Sequence, residues 1–298
     1  MTTAKWQDRW KRVMLNNYGT PPLALMSGKG MRVTDADGKE YLDFLAGIAV
    51  NALGHAHPAI AEAISKQAQE LVHVSNLAIH PKAVELAEKL IALSGWDAKV
   101  FFCQDGATAN EAALKIARRH GYAVAPDGSK QRIVAMHNGF HGRSMGALAV
   151  TGNAAKRDPF APFGHDVTFV EFGNTEALRA AMADDVVAVI TEPTQGEGGM
   201  VVPPHGFLAD ARGIATAFDA LLIVDEVITF RAAVGGMHTV YGIEPDMMTV
   251  GKIMGGGFPV GGVGGWDYLS IDPAAHRLYV SHASVVVVID TVLSSILR

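Results

Sequence analysis

The sequence is nearly without cysteine: Cys103 stands alone among 298 residues. One thiol forms no internal disulfide, which excludes the stapled secreted scaffolds and points to a reducing compartment, the cytoplasm. Positive charge is not in excess either. Lys and Arg number 25 against 30 Asp and Glu, a net charge of −5, so no basic field exists to hold nucleic acid or an anionic membrane surface. Long apolar runs are missing as well. None approaches the roughly 18 residues that span a bilayer, and the start, MTTAKWQDRWKR, lacks the apolar centre of a signal peptide. There is no internal repeat and no low-complexity linker. What is present, 49% hydrophobic and 18% charged residues, is enough to bury a large core in one big or two ordinary globular domains. A small-molecule substrate is the expected partner.

Residues 1–53 open with an amphipathic WQDRWKRVMLNNY segment and a Pro21-Pro22 break, then a short hairpin turning at Asp37-Gly38. After the loop NALGHAHP, the spacing of AIAEAISKQAQELVH predicts a helix. His55 and His57, two apart in that loop with no Cys or carboxylate cluster nearby, read as loop-packing or capping groups, and no metal is expected. From KVFFCQ onward, strand-like apolar runs alternate with helical segments: RIVAMH, DVTFVEF, a helix from about Thr175 to Ala183, VVAVITEP, GFLADARGIATAF, ALLIVDEV and MMTV. This rhythm predicts an α/β fold with a mainly parallel sheet and helices on both faces.

Five segments carry candidate chemistry. ALLIVDEV reads as a strand buried on both faces whose tip, at Asp225 and Glu226, opens into a site. MMTV likewise ends at Gly251 and Lys252, so a carboxylate and an amine reach the same sheet edge. A buried carboxylate needs a cation or several donors, and a protonated pyridine nitrogen is such a cation. In pyridoxal phosphate enzymes a lysine holds the cofactor through its aldehyde while an aspartate keeps the ring nitrogen protonated. Asp225 and Lys252 suit those roles, although each also reads as an ordinary strand-end acid and surface lysine. Gly106 and Ala107 open a helix with free amides that suit a phosphate, or serve close packing, and Asp105 beside them adds an opposing charge. In GFHGR, Phe140 between glycines can lie on a heteroaromatic ring and Arg143 can hold a carboxylate, or the two are a core aromatic and a surface cation. Glu192, Gln195 and Glu197 fall in a Gly/Pro loop at a further strand end.

GIAVNALGHAHP, then FFC with GA and ANEAALKIARR, GFHGRSMGALAVTG, EPTQGEGGMVVP and LLIVDEV, in this order, resemble the class III aminotransferases over residues 1 to about 270. These are pyridoxal-phosphate enzymes of the aspartate-aminotransferase-like fold. Residues 1–227 are most similar to the acetylornithine branch, from arginine biosynthesis. Residues 228–270 are instead similar to glutamate-1-semialdehyde aminomutase and its β-amino-acid transaminase relatives, with Ile228 where the acetylornithine branch has a glutamine. The resemblance implies a small-domain segment over 1–53 and a cofactor-binding large domain over 54–298, with an atypical tail from about 280 and no C-terminal small domain.

For the site, the resemblance implies Lys252 as the covalent holder and proton shuttle and Asp225 as partner of the ring nitrogen. It further implies that Gly106 and Ala107 take the phosphate, that Phe140 stacks on the ring, and that His141, Glu192 and Val227 touch the cofactor. Arg143 would bind the substrate α-carboxylate, and Glu197 would gate a second substrate-binding arginine. The implied reaction moves an ω-amino group, from N-acetylornithine to 2-oxoglutarate, in a homodimer. A 1,2-amino shift on glutamate 1-semialdehyde, or an inactive cofactor-binding chain, are the other readings. Asp105 and Thr108, which replace a small hydroxyl and a glutamate of the family's phosphate loop, predict weakened phosphate binding. The tail's Val285–Ile289 run predicts a strand in search of an edge, in this chain or another.

Overall fold

The structure is a computed structural model that describes residues 1–75, 77–257, 270–272, 277–279 and 285–289. Residues 258–269, which include part of the aminomutase-like stretch, and the ends of the tail lie outside the described residues.

The amphipathic N-terminal segment is helix α1 (Thr3–Val13), capped by the Thr2 side chain, which accepts from the Lys5 amide. Strands β1 (Leu25–Lys29), β2 (Arg32–Asp35) and β3 (Glu40–Leu42) follow as an antiparallel sheet of their own, with Gly38 in the expected turn. A short turn of helix, α2 (Ala46–Ala49), leads to α3 (Pro58–Glu70), which begins one residue after His57. His55 accounts for itself structurally: its Nε2 lies 2.8 Å from Asp43 Oδ2 and its backbone pairs with Gly30. Among the described residues no cluster of His, Cys, Asp or Glu could hold a metal ion.

Helix α4 (Pro81–Ser94) is not among the expected elements, although its punctuation is regular: Pro81 opens it and Gly95, at φ 76°, closes it. It buries Leu86 and Leu90 against the sheet residues Ala98, Met248 and Val250.

Strands β4 (Ala98–Phe102), β5 (Arg132–Met136), β6 (Val167–Val170), β7 (Val186–Thr191), β8 (Leu221–Asp225) and β9 (Met247–Val250) match the expected apolar runs. The helices between them are α5 (Gly106–Val124), α6 (Met145–Ala149), α7 (Ala154–Arg157), α8 (Thr175–Ala181), α9 (Phe207–Ala217) and α10 (Met237–Val240). After the hairpin of β10 (Ser270–Asp272) and β11 (Arg277–Tyr279), β12 (Val285–Ile289) completes a seven-stranded sheet of order β4-β12-β9-β8-β7-β5-β6. Strands β5 to β9 pair in parallel, whereas β12 runs antiparallel to both neighbours, β4 and β9. The apolar tail thus finds two edges inside its own sheet, which removes the physical basis for expecting it to pair with another chain.

Every residue of β7 and β8 is buried, as a strand covered on both faces requires. Successive side chains alternate between two cores. Ala188, Ile190, Leu221 and Ile223 meet Ala109, Ala113, Leu114 and Ala117 of α5, while Val189, Leu222 and Val224 meet Phe207, Leu208, Ala211 and Ile214 of α9. The small residues of α5 let it lie close to the strands, and this fixes where its first turn arrives. Among the described residues no helix is long and apolar enough to cross a membrane.

Candidate active site

Parallel strands present their C-terminal ends to one edge of the sheet, and ligands bind there. At that edge a cavity of about 370 Å³ is lined by Lys252 and Asp225, by Gly106 and Ala107, by Phe140, His141 and Arg143, and by Glu192 and Val227. Nine of the site residues expected from sequence therefore share one cavity. The tenth, Glu197, is not among its lining residues: its Oε2 lies 2.6 Å from Lys156 Nζ, in a pair with 33% and 42% of the Lys156 and Glu197 side chains exposed. Lys156 Nζ also sits 5.7 Å from the centre of the Phe140 ring, and Arg143 Cζ 5.6 Å from it.

Asp225, at the tip of β8, is 4% exposed and surrounded by donors. Its Oδ2 accepts from Asn110 Nδ2 at 2.8 Å and lies 2.8 Å from His141 Nδ1, while its Oδ1 accepts from the Val227 amide at 3.0 Å. A carboxylate offers about four acceptor positions, so these described donors leave one on Oδ1 for a ligand. Burial opposes a charge on His141, but the hydrogen bond and attraction of Asp225, with Glu192 behind, outweigh it and hold its pKa above the ordinary value. Among the described residues His141 Nε2 is buried without a hydrogen-bond partner.

Glu192 follows β7 directly and accepts from the Phe140 amide at 3.1 Å and from the Gly196 amide at 3.4 Å. Burial, eased by His141 and increased by Asp225, pushes its pKa up to about 7 from an ordinary 4.5. A carboxyl whose folded-state pKa is raised stabilises the fold below its unfolded pKa, and that contribution is lost as pH rises through the folded value. Relative to wild type, Glu192→Gln should therefore gain about 3 kcal/mol of stability between pH 4 and pH 8, at 1.36 kcal/mol per pKa unit. Urea unfolding of the cofactor-free chain at both pH values measures this, and a parallel offset at the two would refute it.

Lys252, just past β9, holds a left-handed backbone at φ 50°. That conformation is costly for a residue with a Cβ, and such outliers persist where surrounding structure imposes them. The floor of the cavity is closed by small residues: a Cβ on Gly142, at φ 134°, would come within 2.6 Å of Ala107 Cβ. The N-terminal segment reaches the same place, with Val50 lining the cavity and Asn51 so close to Gly257 that no side chain fits there.

Gly106 and Ala107 begin α5, and the first amides of a helix have no partner within it. Asp105 caps the helix, its Oδ1 accepting from the Thr108 amide at 2.7 Å while the Asp105 amide donates to Thr108 Oγ1 at 2.9 Å. The carboxylate expected to oppose a phosphate is thus also the cap of the helix that would bind it.

Sequence reasoning missed Asn110, whose position reads as a polar residue of a helix, and Thr249, which reads as a β-branched residue of a buried strand. It also missed the partners of Glu226. That fully buried carboxylate accepts from Thr229 Oγ1 and from the His238 amide at 2.7 Å, and His238 stacks on Trp96 at 4.6 Å. This ties down the loop that carries Val227 and Ile228.

Solved aminotransferases share this fold. Ornithine aminotransferase from Toxoplasma gondii, solved with partial occupancy of PLP at its active site, superposes with a TM-score of 0.84 at 27% identity, over 100% of this chain and 65% of that one. N-acetylornithine aminotransferase from Stenotrophomonas maltophilia gives 0.73 at 30% identity, over 95% and 66%. The chain belongs to the class III aminotransferase family, whose model matches residues 13–270. It is 50% identical over 281 residues to acetylornithine aminotransferase of Mycobacterium tuberculosis, covering 93% of this chain and 67% of that protein. The chain thus spans about two thirds of the length of the relatives it matches.

The cavity fits the family's cofactor, pyridoxal phosphate. Asp225 would offer its remaining acceptor position to a cationic ring nitrogen, the first amides of α5 would suit a phosphate, and Lys252 and Phe140 line the same cavity.

Proposed function

We propose that the chain transfers an amino group from an ω-amino donor, N-acetylornithine, to 2-oxoglutarate with pyridoxal phosphate. The observation that carries this is the buried Asp225, hydrogen-bonded on both oxygens, in a cavity that Lys252 also lines. Bound there, the cofactor would supply an electron sink for the pair left on a substrate carbon when its proton departs.

The chain's own residues do the rest. Asp225 holds negative charge against the ring nitrogen, and His141, Asn110 and the Val227 amide keep it in place. The Lys252 amine would hold the cofactor through its aldehyde and, once the donor displaces it, take up the proton that leaves the substrate carbon bearing the amino group. Gly106 and Ala107 would take the phosphate at the positive end of α5, Phe140 would lie on the ring, and Arg143 would take the substrate α-carboxylate. We read the chain as a cytoplasmic homodimer on its single cysteine and its family.

Asp105 lowers phosphate affinity in this reading. Asp105→Ser keeps a capping oxygen and removes the charge, so the dissociation constant for pyridoxal phosphate should fall roughly tenfold, the equivalent of about 1.4 kcal/mol. Equilibrium dialysis checks this, and an unchanged or weaker affinity would count against a phosphate at this helix.

Turnover separates the readings of the reaction. Full exchange with N-acetylornithine and 2-oxoglutarate, and none with glutamate 1-semialdehyde, is the expected result. The reverse pattern would favour the 1,2-amino shift, to which Ile228 at the cavity wall lends support.

A further inference from the structure

The carboxylate that faces the ring nitrogen is held by a side-chain amide, and an amide has two faces of opposite polarity. Asn110 Nδ2 donates to Asp225 Oδ2 at 2.8 Å and to the His141 carbonyl at 2.7 Å. Were the group turned over, its oxygen would confront the carboxylate instead. The two acceptors, the His141 carbonyl and the carboxylate, oppose this, and Thr249 completes the set, its hydroxyl donating to Asn110 Oδ1 at 2.8 Å. Asn110 is 1% exposed and Thr249 fully buried, so water offers neither group a substitute partner.

The three residues come from three elements. Asn110 lies one turn into α5, whose first turn faces the phosphate. Asp225 ends β8, and Thr249 lies in β9 shortly before Lys252. Thr249 is also the register partner of Asp225, and its carbonyl accepts from the Glu226 amide at 2.8 Å. One chain of hydrogen bonds therefore joins the elements that carry the phosphate amides, the carboxylate and the lysine.

We propose that Thr249 and Asn110 are positioning residues of the reaction: the threonine hydroxyl fixes the amide, and the amide keeps the Asp225 carboxylate aimed at the ring nitrogen and at His141. The inference rests on the reading of Asp225 given above, and it concerns neither the substrate nor the bound cofactor's own chemistry.

Thr249→Val removes the hydroxyl while keeping the shape, and Thr249→Ser keeps the hydroxyl. In the cofactor-loaded chain, Thr249→Val should lower kcat roughly tenfold with KM for the amino donor unchanged within about twofold, and Thr249→Ser should restore most of the loss. In an Asp225→Asn background, Thr249→Val should cost no more than about twofold, because the group it acts through has already lost its charge. A merely structural threonine would multiply its effect with that of Asp225→Asn.

The cofactor-free chain gives a readout independent of turnover. The His141 Nδ1 proton should exchange with solvent at least tenfold faster in Thr249→Val and at the wild-type rate in Thr249→Ser, as read by proton NMR. Asn110→Leu should reproduce the valine variant, and if it does not fold, the threonine pair decides alone. Unchanged exchange and unchanged kcat in Thr249→Val, or effects that multiply with Asp225→Asn, would overturn the proposal. If the chain shows no transamination at all, the function above fails, and the exchange rates still decide the proposal.

Discussion

Lys252→Ala should lower kcat by roughly 10⁴-fold or more, because one amine both holds the cofactor and carries the proton, and positioned proton transfer alone contributes about 10²- to 10⁴-fold. The loss should not come from damage to the fold. Lys252 already holds φ 50°, a conformation unfavourable for lysine and alanine alike, so alanine keeps the strain and removes only the amine. Glycine relieves it: Lys252→Gly should be equally inactive yet about 1 kcal/mol more stable than Lys252→Ala in urea unfolding. Borohydride treatment of the loaded wild type should attach the reduced cofactor to Lys252 alone, as peptide mass spectrometry reads. A specific label at another lysine, or turnover persisting in Lys252→Ala, would remove Lys252 from its role.

Asp225→Asn should cost about 10²- to 10³-fold in kcat while changing cofactor affinity by less than about tenfold. Breaking a buried charge pair typically costs about 3–5 kcal/mol, close to the stated rate loss at 1.36 kcal/mol per decade. With its oxygen toward Asn110 and His141 the new amide loses only the Val227 contact, and its NH2 can donate to a neutral ring nitrogen, so the cofactor binds. It cannot favour a protonated ring, so the step that needs the electron sink slows. A second consequence lies in His141, whose raised pKa depends on the Asp225 charge against its burial. Without that charge burial prevails, and the His141 pKa should fall, which NMR titration of the cofactor-free variant measures. Equal losses in rate and affinity with an unmoved His141 would make Asp225 structural.

Much of this was legible because burial on both faces leaves a plain mark. β7 and β8 read as unbroken apolar runs, and a charged residue directly after such a run, Asp225 or Glu192, has few places to go but a site. Phe140, His141 and Arg143 were legible as a glycine-flanked cluster behind β5. Asn110 and Thr249 were not, because each residue type is unremarkable in its element and only the fold brings them within 2.8 Å. Lys156 as the partner of Glu197 was hidden for the same reason, since the two meet across 41 positions of sequence. The strain at Lys252 is a backbone property with no residue signature. The slot filled by β12 depends on the gap between β4 and β9, which no local pattern encodes.

That slot bears on when the site can exist. β4, which feeds the phosphate-facing end of α5, is an edge strand whose sheet neighbour is β12, and Ile289 pairs with Ala98 across most of the chain. Closing so long a loop is entropically slow and comes late in folding. On a ribosome, the strands bearing Asp225 and Lys252 emerge and can join the parallel sheet before the strand that secures β4 has been made. In that order β4 is secured late, while α5 can already rest on β7 and β8 through its small residues.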